Sequence, residues 1–290
     1  MFTIDEVQTK YKVYELRDES GSSWIKVAPE RGGIITEFGV HGDNVLFMDE
    51  ATFNDPATNV RGGIPVLFPI CGQLANDQYQ WNGKKYKIKP HGFARNLPWK
   101  VIRPENQEQA AITIELTQNE TTREMYPFDF LLRFTYRLKG NQLTIDQEYH
   151  NHSDVMMPIY AGFHPYFKVG KKQNLVYESD GTIYLDYADL KIKPFSQTID
   201  LSRVSIAKLI LNQAKNKIVL HDPTLKHKIS LTYSKEFKYP LLWTTEGKDF
   251  MCVEPFMAKM NALNTHEDLT LIKPGGVIRI GLTITVDPLP

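Results

Sequence analysis

The feature that most constrains this chain is a two-residue hydrophobic period that recurs almost from end to end. In Ala111-Ile112-Thr113-Ile114-Glu115-Leu116-Thr117, the residues Ile112, Ile114 and Leu116 share one face while Thr113, Glu115 and Thr117 share the other. Successive side chains leave a strand on opposite faces, so this pattern predicts a half-buried β-strand. Phe130–Leu138 and Gln142–His150 repeat the pattern on either side of Lys139-Gly140-Asn141, whose Gly-Asn turn signal predicts an antiparallel hairpin. Gly276–Val286 alternates too strictly to be a helix. Helical spacing is confined to Ser202–Gln213, through Val204, Ala207 and Leu211, and to a single turn at Thr122–Met125 before Pro127. Many strands, few short helices and no evident linker predict one large all-β domain over residues 1–290, of sandwich or barrel type. No internal repeat or heptad run argues for a solenoid or a coiled coil.

Charge narrows the partners. The 34 basic and 34 acidic side chains cancel, and nucleic acids and anionic membranes are bound mainly through clustered Lys and Arg. Neither partner is expected, and any anionic ligand should be small and locally recognised. The opening residues Met1-Phe2-Thr3-Ile4-Asp5-Glu6 lack a signal-peptide pattern, and no apolar run approaches the roughly 18 residues of a spanning helix. A cytoplasmic location is the expectation. Cys71 and Cys252 are too few and too distant in sequence for a disulfide framework or a paired zinc motif. Both are expected to be reduced and at least partly buried.

Four segments carry residue types that a β-sandwich core does not need. Arg61-Gly62-Gly63-Ile64-Pro65-Val66-Leu67-Phe68-Pro69 sets an arginine at the entrance to a glycine- and proline-constrained loop. It reads either as a rigid loop with a solvated arginine or as a guanidinium contact to an anion or hydroxyl. In His91-Gly92-Phe93-Ala94-Arg95 the imidazole and guanidinium are four apart and would share a side of an extended segment. Phe163-His164-Pro165-Tyr166-Phe167 holds a histidine between aromatics, and Val253-Glu254-Pro255 follows the apolar Phe250-Met251-Cys252. A carboxylate there is costly to bury without a partner, so it lies on an exposed face or serves a purpose.

Taken together and in this order, these segments resemble the aldose 1-epimerase or galactose mutarotase-like family, and most closely its hexose-6-phosphate mutarotase branch. The resemblance rests on RGGIP at Arg61–Pro65, HGFAR at His91–Arg95, H-x-Y-F at His164–Phe167 and V-E-P at Val253–Pro255, with Tyr126-Pro127-Phe128-Asp129-Phe130 as a further matching segment. It implies a β-supersandwich of large antiparallel sheets whose concave face holds the sugar. It also implies His164 as general acid, Glu254 as general base, His91 as an orienting residue, and Arg61 and Arg95 as phosphate ligands. The branch tends to continue F-P-Q-F-G, whereas Phe68-Pro69 is followed here by Ile70-Cys71-Gly72, a change expected to alter the pocket wall. The family's sugar-binding aspartate has Asp186 as a candidate without diagnostic spacing.

Mutarotation opens the pyranose by taking a proton from the anomeric hydroxyl while giving one to the ring oxygen. The open aldehyde then rotates and recloses. An ionised glutamate and an imidazolium suit these tasks. No cofactor or metal is required, and the chain carries no dinucleotide fingerprint, P-loop or cysteine-rich metal motif. The expected partner is a small sugar or sugar phosphate, with the protein a monomer or weak dimer. Free aldoses, a non-catalytic carbohydrate-binding role and, least favoured, glycoside hydrolysis remain the alternatives, hydrolysis needing a second carboxylate in a catalytic context. Asp146, Glu148, His150 and His152 also alternate along one strand; a hydrated or groove-lining face suits them better than a metal site.

Overall fold

Each alternating segment named above is a strand in an antiparallel sheet. The computed structural model describes residues 1–198 and 207–289. The hairpin pairs Phe130–Lys139 with Gln142–Asn151 in the register Lys139↔Gln142, tightening directly at Gly140 and Asn141. Ala110–Thr117 pairs with the first hairpin strand and Val277–Pro288 with the second. These four are central in an eight-stranded sheet. Phe130, Leu132, Phe134, Tyr136 and Leu138 are buried in alternation with more accessible neighbours, so the period seen in the sequence is the period of burial. Thr113 departs from it, being buried on the polar face beside the Thr135 hydroxyl at 2.9 Å.

A second eight-stranded sheet carries the site. Its order runs Lys191–Pro194, Ile183–Asp186, Lys208–Leu211, Tyr239–Trp243, Phe250–Phe256, Gly162–Phe163, Val66–Leu67, and Tyr166–Lys168 also pairs with Phe250–Phe256. Phe250–Phe256 is buried at every residue, as an interior strand covered on both faces must be. A five-stranded meander, Phe2–Gln8 through Asp43–Asn44, precedes both.

The helices are short: Glu50–Asn54, Glu120–Met125 and Ala262–Thr265 are the α-helices among the described residues. The turn expected at Thr122–Met125 lies in the second, capped by Asn119 and ended by Pro127. The helical expectation for Ser202–Gln213 is corrected where it can be read. Residues 199–206 lie outside the described residues, and Lys208–Leu211 is a strand between Ile183–Asp186 and Tyr239–Trp243. Its four consecutive buried residues have no helical face to expose, and sheet pairing overrides a weak local spacing.

The main buried cluster draws residues from Leu16 to Val286. Phe68 lies within it, its ring centroid 5.0 Å from Phe130, 5.8 Å from Tyr126, 5.9 Å from Phe93 and 6.0 Å from Tyr149. Two of the motif segments and the large sheet therefore meet at a single side chain. Tyr126 is anchored by donating from its hydroxyl to the Pro158 carbonyl at 2.8 Å.

Candidate active site

His164 and Glu254 are brought together by strand register. Gly162 pairs with Phe256 and Tyr166 with Cys252. The same register, continued through the residues between them, sets His164 directly opposite Glu254, where cross-strand side chains are near neighbours. The His164 Nε2 lies 3.4 Å from Glu254 Oε1. Pro165 supplies no N–H at the break between the two short strands, while His164 N–H donates to the Pro65 carbonyl and Tyr166 N–H to the Gly63 carbonyl. The arginine loop thus holds the histidine segment by its backbone.

Glycine is required in both loops. At Gly63, φ is +61° and a Cβ would stand 2.3 Å from the Ile35 oxygen; at Gly92, φ is +71° and a Cβ would stand 2.1 Å from the Phe68 oxygen. Each backbone approaches a neighbour too closely for any side chain. His91 itself has φ +66° and is followed by a 3-10 turn at Ala94–Asn96. The segment is therefore a turn, not the extended run expected from the sequence. His91 and Arg95 still converge, because the turn folds the guanidinium back to donate to the Pro90 carbonyl at 2.8 Å.

The site is graded in depth. Glu254 is 1% exposed and His164 6%; His91, Arg95 and Trp243 are half-buried, and Arg61 is exposed. Burial, reinforced by His91, Arg95 and Arg61, holds His164 well below the ordinary imidazole range. Burial likewise lifts the Glu254 carboxyl well above its ordinary range, with Arg95 opposing it. The carboxylate and imidazolium expected from the sequence are thus both driven toward their neutral forms. His91 is lowered to about 3, by burial first and then by Arg95 and Arg61. Its Nδ1 accepts from Gly72 N–H at 3.1 Å, which leaves Nε2 protonated as a neutral donor. Burial lowers Arg95 to about 10.

All five residues singled out from the sequence, Arg61, His91, Arg95, His164 and Glu254, share this neighbourhood. The His91 and His164 rings are 5.4 Å apart. Two residues to which the motifs gave no role join them. Tyr166 stacks on His164 at 4.6 Å and 11°. Trp243 stands edge-on to His164 at 5.5 Å, and the Arg61 guanidinium lies over it at 5.6 Å. Tyr166 had a signal, two residues after the histidine and hence on its face of a strand; Trp243 reaches the site only through its register with Cys252.

Other expectations change or close. Ile70 and Cys71 are fully buried behind the site, so the departure from F-P-Q-F-G repacks core, while Gly72 reaches the site through its N–H on His91. Asp186 accepts from the Lys193 and Lys208 ammonium groups at 2.7 and 2.9 Å, and its carboxylate is committed to that ion pair. Asp146 and Glu148 line a groove of about 770 Å³ on the other large sheet. There Arg137 donates to Asp146 at 2.6 Å and Arg279 to Glu148 at 2.9 Å, with His150 2.8 Å from Glu148. These are ion-paired, groove-lining residues. Cys71 and Cys252 are both free and buried, and no helix among the described residues is long and apolar enough to cross a membrane.

A buried imidazole and carboxyl 3.4 Å apart, rimmed by arginines and an aromatic, thus sit within large antiparallel sheets. The family model for aldose 1-epimerase matches residues 12–285, and the chain belongs to that family. Over 240 residues it is 28% identical to the protein named "Putative glucose-6-phosphate 1-epimerase" of Escherichia coli (strain K12), covering 78% of this chain and 76% of that one. The solved Slr1438 protein of Synechocystis sp. PCC 6803 superposes with a TM-score of 0.94 at 35% identity, covering 99% of this chain and all of the other. A galactose mutarotase-like protein from Clostridium acetobutylicum shares the fold with a TM-score of 0.83 at 18% identity, over 99% of both chains. The β-supersandwich expected from the motifs is the fold observed.

Proposed function

We propose that this mutarotase interconverts the α and β anomers of a hexose 6-phosphate. The observation that carries the substrate class is uncompensated charge. Among the described residues no carboxylate lies within ion-pair distance of Arg61 or Arg95, whereas Arg17, Arg123, Arg133, Arg137 and Arg279 are each paired. Two unpaired guanidinium groups beside a sugar site suit a dianion, held by charge-assisted hydrogen bonds. The E. coli relative is named for glucose 6-phosphate.

His164 and Glu254 act on the anomeric end, at the buried floor. They hold one proton between them whether they stand as carboxyl and imidazole or as carboxylate and imidazolium. In the reacting form Glu254 takes the proton of the C1 hydroxyl and His164 delivers one to the ring oxygen; on closure the roles reverse. The neutral Nε2–H of His91 donates to a sugar oxygen and orients the ring. Trp243 offers an apolar face to the sugar.

Saturation-transfer NMR of anomer exchange, run on glucose 6-phosphate and on glucose, tests the reading. Faster exchange of the phosphorylated sugar is expected. Arg61→Ala and Arg95→Ala should each raise its KM about 10- to 100-fold, the loss of one charge-assisted bond of roughly 1.5–3 kcal/mol, and leave glucose nearly unchanged. Glucose exchange equal to or faster than that of its phosphate, with both arginine variants silent, would favour a free-aldose enzyme.

A further inference from the structure

We propose that His164, Cys252 and Glu254 form a binding site for a zinc-like divalent cation that inhibits sugar turnover by occupying the acid/base pair. Cys252 and Glu254 are two apart on the Phe250–Phe256 strand and so share a face. One donor atom from each of the three residues lies within 4.8 Å of the other two, and all three side chains are buried. The ring opening described above gives the thiol no task, although it stands beside both groups that handle protons.

Geometry and unspent bonding capacity both point to a metal. Zinc bonds of roughly 2.0–2.1 Å to nitrogen and oxygen, at tetrahedral angles, set those two donors about 3.4 Å apart. The observed Nε2 to Oε1 separation is 3.4 Å. It is not a hydrogen bond, and Glu254 Oε2, on the carboxyl that faces the imidazole, is buried without a hydrogen-bond partner. Sulfur needs a shift of at most about 1 Å to complete a facial set of three, leaving a fourth position for water or a sugar oxygen. An imidazole, a thiolate and a carboxylate suit zinc or cobalt better than magnesium or calcium, which prefer all-oxygen shells.

Binding balances without a redox partner. The thiol, and the carboxyl if protonated, release their protons to solvent, and the two resulting anionic ligands neutralise a dication. Arg61 and Arg95 oppose the cation, so the site is suited to reversible inhibition and not to a resident metal. Only the inhibition readout rests on the functional reading above.

The test uses metal-free wild-type protein and Cys252→Ser. Cobalt(II) should give the near-ultraviolet sulfur-to-metal charge-transfer band in the wild type, bleached by zinc, and zinc should suppress anomer exchange until a chelator is added. Cys252→Ser should keep its exchange rate, lose the band and require at least about tenfold more zinc, since even an outer-shell change costs 10- to 100-fold. An active wild type with no cobalt–thiolate band overturns the site, as does equal zinc inhibition of the variant. A band that survives in Cys252→Ser overturns it too, because the sulfur would then come from Cys71. If the variant fails to fold, the wild-type band and its bleaching still decide the matter. A wild-type band in a protein that exchanges no sugar would count against the proposed function and leave the metal site standing.

Discussion

A buried carboxyl with no hydrogen-bond partner on Oε2 makes Glu254 a residue that function retains and stability does not want. Below the ordinary carboxyl pKa of 4.5 both folded and unfolded chains carry the proton. Above it the unfolded chain ionises first, so stability falls as pH rises until the buried carboxyl ionises too, by about 1.4 kcal/mol for each unit of separation. His164 works in the other direction. Its folded value is depressed, so the stability it allows above 6.5 is lost as pH falls. Glu254→Gln should therefore melt at the wild-type temperature near about pH 4 and above it near about pH 8, by scanning calorimetry. The same variant should slow anomer exchange by about 10²- to 10⁴-fold while binding sugar almost normally. An equal melting difference at both pH values would show that burial of the charge is not the cause.

At the scale of elements, the site depends on where short strands break and how tightly loops approach one another. His164 occupies the gap between Gly162–Phe163 and Tyr166–Lys168, both registered on the same strand. Its partner Glu254 is found by counting along that register. His91 is held by Gly72 on one side and by the Gly92 turn on the other. Gly92→Ala, with φ +71° and its new Cβ 2.1 Å from the Phe68 oxygen, should destabilise the protein by at least about 2 kcal/mol in denaturant unfolding. Displacing His91 should also raise the sugar KM more than a general loss of stability would. The motif residues were legible here because glycines, prolines and a misplaced carboxylate are conspicuous among alternating hydrophobes. Their conformation was less so: four-residue spacing implied an extended His91–Arg95, and only the contact with Phe68 shows why the chain turns there instead.

For the whole molecule, the aromatic cluster around Phe68 couples the loop bearing Arg61, the turn bearing His91 and Arg95, and the large sheet through Phe130 and Tyr149. Phe68→Ala should cost about 3–5 kcal/mol and reduce exchange even in the fraction that stays folded, measured by melting and by saturation transfer in parallel. The all-β class and the hairpin at Gly140 follow from the sequence by itself, because strand period and turn chemistry are local properties, while the candidate site residues were gathered by the resemblance of their motifs to a known family. Only the tertiary structure decided that His164 faces Glu254 across 90 positions of sequence, that Lys208–Leu211 is a strand, that Asp186 belongs to an ion pair, and that Cys252 stands within reach of the acid/base pair. Those outcomes depend on sheet register and on burial supplied by distant strands, which set distances and protonation that no local window of residues contains.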